Sequence, residues 1–335
     1  MTTYQQFQEG ISSDEIEEKL KFVKQTTQVA KELGKAETIS SLLPFLHDWC
    51  PDNDDEALTE LAKEIYNLRE LFTPDEMKNV LPILKHLATA EEVVVREAAV
   101  ESINKIVEDM SPEVVRDEMV VVIEELFHDE WFTPRVSSVS LIARAYSKIA
   151  SLPASDAEPS LKTLRDDFFA LCKDDTPMVR RAAAKNMPSI YAVCADSFSG
   201  AFVAQFAEFF AADDDTPKLT LMSFTKELLQ RVTEEADRTK VLDIFRSNLG
   251  ARSYKLREAS ALEVGAIAAI LKTEKFSELL LEPYLALFKD NYMEVRKNAI
   301  KQISALATCL EQSVFLEKIF TFLAPLAAET NPVIT

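Results

Sequence analysis

The side chains best suited to acid–base or metal chemistry in this chain are three histidines, His47, His86 and His128, and four cysteines, Cys50, Cys172, Cys194 and Cys309. A metal site needs several such ligands converging on one point. The histidines instead stand 39 and 42 residues apart, and no two cysteines have metal-ligand spacing. Scattered cysteines of this kind are structural thiols, with no disulfide framework or zinc site implied. Neither a Gly-rich phosphate loop, a GxSxG elbow nor an HExxH helix is present. Carboxylates abound, with 56 acidic residues, but nothing singles out two of them as a general acid and base. The sequence therefore predicts no catalytic residue, no metal, no cofactor and no enzymatic activity.

The elements that must position these residues are helices. Only 5 of 335 residues are glycine, and strand-rich or nucleotide-binding folds depend on glycine for positive φ and close backbone approach. Hydrophobic residues make up 47% and charged residues 28%, the mixture of a folded, globular chain. No apolar run reaches the roughly 20 residues of a membrane helix, and the polar start has no signal-peptide layout. A cytoplasmic location, with the nucleus as a second compartment, is the expectation, and membrane insertion is not expected. The net charge of −19 opposes nucleic acid and anionic membranes and leaves solubility or basic partners as its meaning.

One pattern recurs: a polar or acidic turn, a hydrophobic residue, a basic residue, then small residues. It reads Val95-Arg96-Glu97-Ala98-Ala99, Val179-Arg180-Arg181-Ala182-Ala183, Leu256-Arg257-Glu258-Ala259 and Val295-Arg296-Lys297-Asn298-Ala299, with Pro134-Arg135-Val136-Ser137-Ser138 as a looser copy. Thr220 fills a degenerate copy, and the register places earlier ones near Leu58 and Lys19. The basic positions lie 39 to 45 residues apart, or twice that across the degenerate copy, so the period is that of two-helix HEAT and armadillo repeats. The expectation is an all-α HEAT-repeat α-solenoid, a right-handed superhelix of stacked antiparallel helix pairs. It runs over 1–335 as a single array of eight repeats and a terminal helix, behind a flexible tail at 1–10. The long step around Ser151 to Ser160 is expected to lengthen one connection. In repeat three, a helix from Val80 to Ala88 and another from Val94 to Met110 are expected, burying Val95, Ala99, Ile103 and Ile106.

The recurrent arginine falls in a first helical turn, where the macrodipole disfavours a cation. Carboxylates of the preceding turns would compensate it. Arg96, Arg135, Arg180, Arg257 and Arg296 with Asp174, Asp175 and Asp290 are thus expected to form a structural ladder, weak at repeat six where Pro217-Lys218-Leu219-Thr220 lacks the basic residue. The turns between paired helices should line up as the surface that binds a partner.

At those turns the sequence resembles the scaffold subunit of protein phosphatase type 2A. The residues that carry it are Asp174-Asp175-Thr176-Pro177-Met178-Val179-Arg180, Leu43-Pro44-Phe45-Leu46, Val94-Val95-Arg96 and Trp131-Phe132-Thr133-Pro134-Arg135. The resemblance implies a non-catalytic scaffold covering roughly the N-terminal half of that family. It would bind an exchangeable regulatory (B-type) subunit through intra-repeat turns, and the catalytic subunit only if further C-terminal repeats exist. It points to Glu91 and Glu92, to Trp131, Phe132, Thr133 and Pro134, to Thr176, Pro177, Met178 and Arg181, and to Tyr254 and Lys255. Trp131 and Phe132 have a second reading, as a local cap on the neighbouring helix. The alternative function is a transport-type adaptor that holds a basic cargo peptide on an acidic surface, although Trp49 and Trp131 are too few for an aromatic ladder.

Overall fold

The computed structural model describes residues 4–328, and among these every regular element is a helix. The chain divides into two compact units, residues 1–193 and 194–335.

Among the described residues, the first unit carries eleven helices of seven residues or more: α1 (Tyr4–Ile11), α2 (Ile16–Val23), α3 (Thr26–Leu33), α4 (Leu43–Trp49), α5 (Asp55–Asn67), α6 (Leu81–Leu87), α7 (Val93–Asp109), α8 (Val120–Phe127), α9 (Phe132–Ile149), α10 (Ala154–Leu171) and α11 (Pro177–Val193). The stretch expected to be a flexible tail is helical from Tyr4, because Phe7 and Ile11 are fully buried and Tyr4 and Phe7 pack edge-on to Phe45. Helices pair as hairpins, and the second helices α5, α7, α9 and α11 pack side by side. In α7 the expected Val95, Ala99, Ile103 and Ile106 are all buried, at helical spacing. The turn-rich segment around Ser151 is shorter than expected. It is confined to Ser151-Leu152-Pro153, and α10 starts at Ala154 and carries Pro159 near its N-terminal end.

Small polar residues on the second helices tie each hairpin to the one before. Ser102 Oγ donates to the Ala62 carbonyl at 2.9 Å, Ser137 Oγ to Ala88 at 2.7 Å, and Thr133 Oγ1 to Thr89 at 2.9 Å. A short side chain permits close approach and still satisfies its own hydroxyl, which is costly to bury unpaired. Ion pairs also recur at the repeat interval: Lys31 with Glu70, Lys35 with Glu76, Lys78 with Glu118 and Lys85 with Glu125. They are exposed, so each is worth less than about 1 kcal/mol.

The second unit has α12 (Ser199–Ala211), α13 (Asp215–Leu221), α14 (Thr225–Arg231), α15 (Glu235–Leu249), α16 (Tyr254–Leu279), α17 (Leu281–Leu287), α18 (Met293–Lys301), α19 (Ile303–Cys309) and α20 (Thr321–Ala328). Its core is aromatic, with Phe202, Phe206, Phe224, Phe245, Phe276 and Tyr284 fully buried. α16 is two helices meeting at Lys272, whose φ of 63° and ψ of 173° are non-helical.

Candidate protein-binding interface

In repeats four, five, six and eight the helix-to-helix turn has a common construction. Its aspartate receives the N–H two residues on: Trp131 N donates to Asp129 at 2.8 Å, Thr176 N to Asp174 at 2.8 Å, Thr216 N to Asp214 at 2.9 Å and Tyr292 N to Asp290 at 2.9 Å. A side-chain oxygen there satisfies one of the N–H groups a helix start leaves free. The recurrent arginine then folds back over the carbonyls of its own turn. Arg96 Nη1 donates to the Ala90 and Glu91 carbonyls, Arg135 Nη1 to Asp129 and Glu130, Arg180 Nη1 to Asp174 and Asp175, Arg257 Nη1 to Ala251 and Arg252, and Arg296 Nη1 to Asp290.

This corrects the expected ladder in one respect. The arginine's own turn supplies carbonyls, and at Arg135 and Arg257 the carboxylate partner belongs to the following repeat, whereas Arg96 and Arg180 bond to carbonyls. Arg135 grips Asp174 with Nε to Oδ2 at 2.8 Å and Nη2 to Oδ1 at 3.2 Å, and Arg257 grips Asp290 likewise at 2.5 and 3.0 Å. Lys19, at the register's first position, does the same to Asp54 at 2.6 Å. The reason is geometric: carbonyls left free after the first helix carry its negative dipole end, and a planar guanidinium can serve them and a neighbouring carboxylate together. Asp175 contributes its carbonyl and leaves its carboxylate exposed. Burial works against the charged forms of Asp174 and Asp290. The arginine bonds and the capping N–H outweigh it and hold both carboxyls below their usual range. At repeat six Thr220 occupies the arginine position, is exposed, and among the described residues bonds only back to the Thr216 carbonyl at 3.0 Å.

With the polar groups of the turn so occupied, apolar side chains are left at its tip. In the first unit these are Val93 and Val94 (49% and 57% exposed), Trp131 (56%) and Met178 (50%). In the second they are Tyr292 (49%) and Met293 (50%), and the Tyr292 ring stacks on Tyr254 at 4.3 Å and 8°. The three first-unit turns adjoin one another, as the Thr133–Thr89 and Arg135–Thr176 bonds show.

The expected site residues fall into two groups. Glu91, Glu92, Trp131, Pro177, Met178, Arg181 and Lys255 are exposed, and Phe132, Thr176 and Tyr254 are half-buried. Thr133 and Pro134 are buried, and Thr133 is spent on the neighbouring repeat, so neither offers surface to a partner. Trp131 and Phe132 contact each other at 5.6 Å, and Trp131, the N-cap residue of α9, makes no side-chain cap hydrogen bond and stays more than half exposed. The sequence reading missed Val93, Tyr292, Met293 and the capping Asp129, all of which lie one repeat interval from residues it named.

His47 and His86 are neighbours on adjacent outer helices at 5.4 Å, and His128 packs on Phe127. Burial, then the His47 charge, lowers the His86 pKa. Among the described residues no cluster of three or more histidine, cysteine or acidic residues could hold a metal ion, and no helix is long and apolar enough to cross a membrane.

Paired helices, second-helix packing and the turn construction define the class: this is a HEAT-repeat α-solenoid protein. Solved structures of the karyopherin Kap121p share the fold. That bound to the SUMO protease Ulp1p has a TM-score of 0.70 at 18% identity over 98% of this chain and 36% of its own, and that bound to Pho4p has 0.69 at 18% over 98% and 36%. No family model matches the chain. Its sequence is that of a divergent relative of the scaffold subunits of protein phosphatase 2A. It is 38% identical over 180 residues to the protein phosphatase 2A scaffold subunit of Dictyostelium discoideum, covering 53% of this chain and 30% of that protein. It is 38% identical over 178 residues to the beta isoform of the 65 kDa regulatory subunit of serine/threonine-protein phosphatase 2A from Homo sapiens (53% and 28%). To the corresponding PP2A regulatory subunit of Schizosaccharomyces pombe it is 31% identical over 265 residues (78% and 44%). The chain spans less than half the length of each of these relatives.

Proposed function

We propose that this chain is a non-catalytic scaffold of a type 2A protein phosphatase assembly and holds a regulatory subunit on its intra-repeat turns. The observation that carries the reading is the exposed apolar tip, Val94, Trp131 and Met178 in successive turns. The turn carbonyls are bonded by the recurrent arginines, so the apolar tips are free to serve as anchors, and buried Trp and flanking apolar residues are typical interface hot spots. Glu91, Glu92 and Arg181 supply a charged rim in the first unit that sets register and partner choice, and Lys255 is the charged neighbour of Tyr254 in the second. Tyr254 and Tyr292 form a second anchor. A cytoplasmic location, with the nucleus as a second compartment, goes with this proposal.

The test is a binding titration of the full chain with purified phosphatase regulatory subunits. Trp131→Ala should weaken binding by about thirtyfold or more, as expected of a central anchor worth about 2 kcal/mol, with an unchanged melting curve. If no regulatory subunit binds, or if the variant binds as well as the native chain, the turns are not the interface.

A further inference from the structure

We propose that the face formed by the second helices of the first unit holds a site for a phosphorylated side chain on an extended peptide. This goes beyond the turns, and the phosphoryl-binding residues themselves are none of those assigned to them. A cavity of about 320 Å³ lies across α7, α9 and α11. Its walls are Asn104 on α7, Ser140, Ala143, Arg144 and Ser147 on α9, and Asn186, Ser189 and Val193 on α11. None of these lining residues carries a carboxylate, in a chain whose net charge is −19. Its polar groups are one guanidinium, three hydroxyls and two carboxamides; the Ser140 hydroxyl donates to the Val136 carbonyl at 3.5 Å, and the Asn104 Oδ1 is a buried acceptor with no hydrogen-bond partner among the described residues.

The donors are arranged, not scattered. Ser140, Arg144 and Ser147 sit at i, i+4 and i+7 on α9 and so share one face. Asn104 Nδ2 donates to the Ser140 carbonyl at 3.2 Å. Asn186 Nδ2 donates to the Ala182 carbonyl at 2.9 Å and to Ser140 Oγ at 3.4 Å, so both amides are fixed in orientation. Ser147 and Ser189 make no hydrogen bond within the described residues, and both are exposed. Glu108 holds Arg144 Nη2 at 2.7 Å, which orients the guanidinium and also makes this carboxylate an acidic competitor beside the site.

A carboxylate presents two acceptor oxygens and a single negative charge to the donors left free here, which are the rest of the Arg144 guanidinium and the Ser147 and Ser189 hydroxyls. A phosphoryl group presents three acceptor oxygens and close to two negative charges, and a guanidinium with neighbouring hydroxyls is its usual complement. The volume exceeds what one phosphoryl group fills, and an adjoining cavity of about 490 Å³ shares Asn104, Ser140, Arg144 and Asn186 and is lined further on by Glu97, Glu101 and Glu108 together with Lys105 and Lys185, so the uncharged flank of the peptide, not the phosphoryl group, occupies it. That continuation gives the flanking peptide a path across the helices, and the fixed carboxamides match the N–H and C=O of its backbone. The occupant is therefore a phosphoserine or phosphothreonine within a chain.

The experiment is a fluorescence-anisotropy titration of the full chain with a short, otherwise uncharged labelled peptide bearing one central phosphoserine. Its unphosphorylated and glutamate counterparts and inorganic phosphate serve as competitors. The phosphopeptide should bind saturably and at least about tenfold more tightly than either counterpart. Arg144→Met and the pair Ser147→Ala with Ser189→Ala should each weaken it by about tenfold. Glu108→Gln should strengthen it by a few fold, a gain that a damaged fold could not produce. Equal binding of the unphosphorylated peptide, or an unaltered affinity in Arg144→Met, would overturn the proposal. Equal binding of the glutamate peptide would make this a carboxylate site, and competition by inorganic phosphate as strong as by the phosphopeptide would make it a free-anion site. Either result refutes the assignment.

Discussion

Lys272 and Gly34 hold almost the same backbone conformation, φ 63° with ψ 173° and φ 80° with ψ 167°, and each begins the chain's passage from one hairpin to the next. That region of φ/ψ is essentially reserved for glycine and costs other residues about 1 to 3 kcal/mol. A lysine here is stored strain. Lys272→Gly should raise the stability of the second unit by about 1 kcal/mol, the relief of strain exceeding the added freedom of the unfolded glycine. The converse change, Gly34→Ala, should cost about 1 kcal/mol or more although a Cβ there meets nothing within 4 Å, so backbone strain alone would act. Urea unfolding followed by circular dichroism measures both, and a destabilised Lys272→Gly would show that the bend is unstrained. A glycine at such a bend can be read from the sequence, but nothing in a lysine announces positive φ. The arginines illustrate the same boundary. Their period exposed them, but which partner each takes depends on the capping geometry of the turn, which reserves its aspartate for its own N–H and for the preceding arginine.

Between outer helices α8 and α10 lies a charge that no period could have revealed. Asp167 is only 8% exposed, and its Oδ2 has no hydrogen-bond partner among the described residues. Burial first, then the Glu124 charge facing it from α8 and Asp166 on its own helix, pushes its pKa up to about 6, with His128 acting in the opposite sense. Because the folded pKa lies above the ordinary carboxyl value near 3.9, the joint is most stable where Asp167 is protonated in both states, below about pH 4. That advantage is lost as pH rises through 6. Asp167→Asn should therefore stabilise the first unit by about 2 kcal/mol at pH 8 and leave it nearly unchanged at pH 4. Thermal melts of the two proteins across that range test it, and equal gains at both pH values would mean that packing, not ionisation, sets the effect. The helices themselves were legible because each second helix buries a stripe such as Val95, Ala99, Ile103 and Ile106. The pairing of α8 with α10 was legible only as a consequence of the period, so Asp167 looked like one more residue of an acidic surface.

At the scale of the whole chain, the two compact units divide between repeats five and six, shortly before the turn where the arginine is missing. In a repeat protein, stability is nearly a sum of hairpin terms and nearest-neighbour terms, so a lost rung should weaken its own unit first. The chain offers a way to see this, because both of its tryptophans, Trp49 and Trp131, lie in the first unit. Tryptophan fluorescence thus follows unit one, and far-ultraviolet circular dichroism follows both. Arg135→Met leaves Asp174, whose side chain is 11% exposed, without its guanidinium, at a cost of about 2 kcal/mol. Its fluorescence midpoint in urea should fall. Arg257→Met strands Asp290, 7% exposed, in the same way, but the loss should appear in the dichroism transition while the fluorescence midpoint stays in place. Because the arginine bonds hold both carboxyls below their usual range, each penalty should be full at pH 7 and fade as pH falls through the carboxyl range. If Arg257→Met shifts the fluorescence midpoint as far as Arg135→Met does, the chain unfolds as one cooperative body and the rungs act across all of it.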